Sequence, residues 1–174
     1  MSAAVALSTE DLRAVAGFAA ASAETVLGSF EADQPDDPRP RDAIAAAWAF
    51  ARGGERGKAL RDTAWAALKA AQEAHTAAGR EAARAAMAAA GAAYLHPLAK
   101  ATQVKHILGA GAHAARAAEL VAGGSAADHL ARTVRRATPE VVDVLNRYPS
   151  APDGGGRVGE LTRLLDAALR TGPE

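Results

Sequence analysis

The 174-residue sequence contains no cysteine, which excludes a disulfide scaffold, a thiolate-ligated zinc site and a thiol nucleophile. Aromatic residues are few, with three Phe, two Trp and two Tyr. Neither charge is in excess: 20 Lys plus Arg face 20 Asp plus Glu, for a formal net charge of zero. The balance removes the field that would draw the whole chain onto nucleic acid or an acidic membrane surface. With so few aromatics to interleave with basic residues, nucleic-acid binding is not expected. No run of about 18 residues is free of charged and polar groups, so no membrane span is expected. The segment from Ala82 to Ala93 comes closest, and Arg84 interrupts it. The Met1-Ser2-Ala3-Ala4-Val5 start has neither a basic n-region nor an apolar h-region, so a cytoplasmic protein without a signal peptide is expected. Leu, Ile, Val and Phe together number only 30, low for a packed core.

What the sequence has instead is alanine. Fifty of the residues are Ala, the best intrinsic helix former, because it loses no side-chain entropy in the helix. Disorder does not fit, since it also requires high net charge. Long Ala-rich windows broken by Gly and Pro read as helices with punctuation. Ser8 and Asp11 form a cap for a first helix from Thr9 to Phe30, with Leu7 and Leu12 at the staple positions. Three prolines between Glu31 and Arg41 make a loop. Pro38 and Pro40 then open a second helix that runs to Ala51 and stops at Gly53-Gly54. A third helix is expected from Arg56 to Ala78, a fourth from Glu81 to Leu95 and a fifth from Pro97 to Ala122. Ser125 with Asp128 caps a sixth that ends near Arg136, and Thr138-Pro139-Glu140 opens a short seventh. After Pro149, a Pro/Gly linker leads to an amphipathic helix from Glu160 to Arg170. No segment shows sustained period-two alternation, so no sheet is expected.

These elements predict an all-α, single-domain antiparallel bundle of seven or eight helices over residues 8–149, with residues 150–174 as linker and terminal helix. Alanine faces let helix axes approach toward the short end of the roughly 8–10 Å range. Trp48, Trp65, Phe18, Phe30, Phe50 and Tyr94 are the candidate anchors among them.

Chemistry-bearing residues concentrate in one place. Between Tyr94 and His113 lie three of the five His and two of the four Lys. On a continuous helix, Lys100 falls at about 40°, inside an apolar arc formed by Val104, Ile107, Leu108, Gly111 and Ala115 at about 20–120°. Burial there would favour the neutral amine, making Lys100 a candidate nucleophile or base with His106 as proton shuttle. His96, Gln103 and His113 complete a candidate ligand-binding set. A metal site is not expected, because His106 and His113 are two turns, about 10.5 Å, apart along the axis. The alternative is structural: Lys100 snorkels or pairs with an acid, and the histidines satisfy helix-end carbonyls. Arg52 to Lys58 lacks the spacing of a phosphate loop and reads as a turn. Arg132, Arg135 and Arg136 form a basic helix end that suits the helix dipole.

Asp37-Pro38-Arg39-Pro40-Arg41-Asp42-Ala43-Ile44, followed by Trp48 and Arg52-Gly53-Gly54-Glu55, resembles the Imm-5-like putative immunity proteins. So do Ala90-Gly91-Ala92-Ala93, His96, Ala101-Thr102-Gln103, His106, Leu108-Gly109-Ala110 and Ala114. The resemblance covers roughly Leu12 to Tyr148; Pro97 and the segment after Pro149 depart from it. It implies an all-helical bacterial protein that neutralises a cognate toxin by binding, with a protein partner and no cofactor. The opposing expectation is a small helical enzyme or ligand-binding protein with a pocket around Lys100, His96 and His106.

Overall fold

The computed structural model describes residues 3–172 and contains nine α-helices among them. They are α1 (Thr9–Glu24), α2 (Leu27–Asp33), α3 (Arg39–Ala51), α4 (Lys58–Glu73), α5 (Ala77–Gly91), α6 (Val104–Glu119), α7 (Ala126–Arg136), α8 (Pro139–Asn146) and α9 (Gly156–Thr171). Two single 3₁₀ turns, Ala92–Tyr94 and Ala101–Gln103, lie between α5 and α6. The only β pairing among the described residues is an isolated bridge from Ala4 to Leu98.

Local chemistry sets most of the boundaries. Ser8 caps α1 in a reciprocal box: the Asp11 N–H donates to its hydroxyl at 3.0 Å, and its own N–H donates to the Asp11 carboxylate at 2.9 Å. The expected single helix from Thr9 to Phe30 is instead two. The Ser22 hydroxyl donates to the Phe18 carbonyl and the Thr25 hydroxyl to that of Ser22. Hydroxyls bonded back to the preceding turn compete with the helical ladder and favour a bend there. The turn at Thr25–Val26 aims Leu27 and Phe30 inward, where both are buried.

α5 starts four residues earlier than the expected Glu81. Thr76 caps it, accepting from Gly79 N–H at 3.0 Å. The carboxylate of Asp33 then accepts from His75 N–H, Thr76 N–H and the Thr76 hydroxyl, tying the end of α2 to the start of α5. Gly79 makes the approach feasible, since a Cβ there would sit 2.5 Å from that carboxylate. Those hydrogen bonds outweigh burial and hold the Asp33 carboxyl below its usual range.

α5 and α6 form the centre of the bundle. α5 buries Ala82, Ala83, Ala85, Ala86, Ala89 and Ala90, and α6 buries Val104, Ile107, Leu108 and a run of small residues. The other helices pack around this pair: α4, α3 and α2 on α5, α9 and α7 on α6, with α1 touching both. At Gly111 the approach is close, because a Cβ there would come 3.0 Å from Leu165 of α9. α9 therefore belongs to the core, with Leu161 and Leu165 fully buried. Of the expected anchors, Phe18, Phe30 and Phe50 are buried, and Tyr94 and Trp48 are partly so. Trp65 is not an anchor. It is 71 % exposed, because α4 lies at the edge of the bundle and turns that face outward.

Candidate functional site

The segment expected to begin a fifth helix at Pro97 is extended. Val5 N–H donates to the Pro97 carbonyl at 2.8 Å and Ala99 N–H to that of Ala3 at 3.3 Å. Proline biases the residue before it toward extended backbone, and the N-terminal strand supplies the partners that a helix would have provided. α6 consequently begins only at Val104. Lys100 thus lies outside the helix and outside the apolar arc, exposed, with its backbone N–H on the Leu98 carbonyl.

Of the other residues of this set, His96 and Gln103 are brought together, whereas His106 and His113 hold separate partners. His96 is exposed; its N–H donates to the Gln103 side-chain oxygen at 2.9 Å and its carbonyl accepts from the Tyr148 hydroxyl at 2.7 Å. Burial of Tyr148 raises its pKa to about 12, which keeps that hydroxyl a donor. His106 lies with Nδ1 3.1 Å from the Gly91 carbonyl, so Nδ1 carries the proton. Burial, assisted by the charge of Lys105, lowers its pKa against the opposing pull of that hydrogen bond. His113 places Nδ1 2.8 Å from Glu81, and Arg84 reaches the same carboxylate at 2.6 Å. Glu81 is 8 % exposed. Burial works against its charge, yet the hydrogen bond and charge of His113 together with Arg84 bring its pKa below the usual value. Among the described residues no group of three or more His, Asp or Glu could hold a metal ion.

An open groove of about 590 Å³ lies elsewhere, between α1, α3 and the α7–α8 junction. Gly17, Phe18 and Ala51 give it an apolar floor, and Arg13, Arg52 and Arg136 stand around it. Arg13 is committed to the fold: it donates to the Phe50 and Gly53 carbonyls at 3.2 Å, closing the end of α3, and pairs with Glu10. Arg52 instead lies 4.7 Å over the ring of Trp48, a cation–π stack that leaves its N–H groups free. Arg136 donates once, to the Thr133 hydroxyl at 3.0 Å. Its Nε is buried with no hydrogen-bond partner. Burial and the neighbouring charge of Arg132 both lower its pKa. No carboxylate pairs with Arg52 or Arg136 among the described residues.

A smaller cavity, about 540 Å³, opens nearer the start of α7, where His129 meets Thr25 with Nε2 3.3 Å from the hydroxyl. Burial, then Arg136 and Arg132, lower the pKa of His129. Sequence reasoning passed over Arg136 by reading it as a solvated helix end, and took Trp48 for core. The one available signal was the cluster of three arginines, Arg132, Arg135 and Arg136, at the end of α7.

The family profile described as Imm-5 like putative immunity protein matches residues 6–140. The chain belongs to that family. The matched region takes in α1 to α7 and the opening of α8, and with them the groove residues Trp48, Arg52 and Arg136. α9 lies beyond the region matched to the family, although it completes the core. Comparison with curated proteins and with solved structures gave no significant match. No helix of the described residues is long and apolar enough to cross a membrane.

Proposed function

We propose that this protein is a bacterial immunity protein of the cytoplasm that binds a cognate toxin and neutralises it by occlusion rather than by catalysis. Its membership of the family, through the match over residues 6–140, carries this reading. A toxin-binding protein needs a rigid surface with a few strong anchors, typically aromatic or Arg side chains in an interface of about 1,200–2,000 Å². The α1–α3–α7 groove supplies such groups on well-packed helices. The ligand-binding or catalytic alternative, built on His96, Lys100, Gln103, His106 and His113, requires those side chains to converge on one cavity. The separate partners of His106 and His113, and the exposed position of Lys100, support the binding reading instead.

The test is co-expression with the secreted toxin-like product of a neighbouring gene. Growth should be restored by the wild-type chain. Continued toxicity despite soluble, folded protein would overturn the reading.

A further inference from the structure

Among the described residues, two guanidiniums of the groove have no carboxylate partner, and one of them carries a buried nitrogen without a hydrogen bond. Eight of the sixteen arginines sit on carboxylates among the described residues, Arg39, Arg147 and Arg157 among them. Arg136 is part-buried with an orphaned Nε, a costly arrangement unless something else completes it. Arg52 is held flat on Trp48 with its donors unused. Between them lies an apolar floor of Gly17, Phe18 and Ala51. The groove's own acids do not fill the vacancy, since Glu10 is held by Arg13 and Glu140 makes no ion pair with Arg136.

From this geometry we infer that the groove is a docking site for an acidic segment of a protein partner, in which a carboxylate meets Arg136 and Arg52 while an adjacent apolar side chain lies on Gly17 and Phe18. Charge complementarity selects the occupant. A planar guanidinium binds carboxylate through two parallel hydrogen bonds, and Arg clusters are a recurrent means of capturing acidic motifs. The apolar floor beside the cations asks for an apolar residue next to the acid, which a free inorganic anion does not bring. The groove is open, so an extended chain can enter it without displacing a helix. The identification of that partner as a toxin rests on the immunity reading; the acidic character of the segment does not.

The experiment uses the full chain carrying Trp65→Phe, which leaves Trp48 as its one tryptophan reporter. A displayed library of random dodecapeptides is selected on the immobilised protein, and the leading peptide is synthesised and titrated against Trp48 emission. The expected result is enrichment of Asp or Glu next to Leu, Phe or Tyr, with saturable binding. Arg136→Gln and the exposed Arg52→Gln should each weaken that binding by about tenfold or more, with melting temperatures checked in parallel. Neutral or basic winners, or no enrichment, would overturn the inference. So would an acidic peptide that binds both variants as well as the parent. Equal displacement by 10-fold excess succinate would mark a small-anion site and overturn docking of a protein segment. If the wild type fails to rescue growth while the acidic peptide binds as expected, the immunity reading falls and the groove assignment stands.

Discussion

The polar groups around α6 and those at the α1–α3–α7 groove are similar in kind and opposite in state. His106, His113 and Glu81 are inside the bundle, and each holds a partner within 3.1 Å. Arg52 and Arg136, at the groove, leave most of their donors unanswered. A closed network contributes to stability and has little left to offer a ligand. An open one contributes little to stability and has the capacity to bind. The partnered groups thus belong to α5 and α6, and the cations without a carboxylate stand at the ends of α3 and α7.

Substitutions that act on one side only would test this contrast. Glu81→Ala should have the largest effect, leaving His113 and Arg84 without their carboxylate. A loss of about 2–3 kcal/mol is expected, which for a domain of this size lowers Tm by roughly 4–12 °C. Differential scanning calorimetry would read it, with peptide binding at the groove unchanged. An unaltered Tm would remove the distinction between the two regions.

Acidification should act next, through one ring on each side, His106 on α6 and His129 on α7. His106 and His129 have folded pKa values lowered from 6.5, so the unfolded chain takes up protons first as pH falls. Stability is therefore full above about 6.5 and declines as pH drops below it, until the lowered folded values are reached. Glu81 and Glu119 are also lowered from 4.5, Glu119 to about 2 through Arg157 and Arg116 against its burial. They add a second loss as pH falls from 4.5 toward 2. Urea midpoints between pH 8 and 5 should fall in the wild type and fall less in His129→Gln. A midpoint rising on acidification would contradict the neutral state of these rings.

Arg136→Met should move stability little, by about 1 kcal/mol or less and in the favourable direction, because it replaces an unpaired part-buried cation with an apolar side chain. Binding of the acidic peptide should be lost. A Tm drop as deep as that of Glu81→Ala would place Arg136 among the structural residues. The smallest effect is expected from Trp65→Gln, within about 0.5 kcal/mol either way, since that ring is 71 % exposed.

The sequence made the helical class and several helix starts legible, because caps are local chemistry. Ser8 with Asp11, Ser125 with Asp128 and Thr138 before Pro139 all cap where their spacing says they should. The break after α1 was hidden, since back-bonded Ser22 and Thr25 fit the same helical periodicity as an unbroken helix. Lys100 was misplaced because the pairing that holds its segment extended comes from Ala3 and Val5, nearly a hundred residues away. Local spacing carries no record of such a partner. The burial of Arg136 was likewise invisible, because burial depends on elements far from it in the sequence. Trp48 and Trp65 are chemically the same residue, and only the position of their helices in the bundle separates a groove wall from an exposed ring.

The alanine faces of α5 and α6 make the molecule vulnerable in one direction. Ala83, Ala86, Ala112 and Ala115 are fully buried, and trimming such a residue to glycine removes a single methyl. Enlarging it to valine or leucine forces atoms into a contact with no slack, typically at a cost of about 1–3 kcal/mol. Alanine scanning, the usual way to map a core, would pass silently over the middle of this protein, because those positions are alanine already. Its interior is mapped by adding volume, and its tolerance to change is limited by size well before it is limited by polarity.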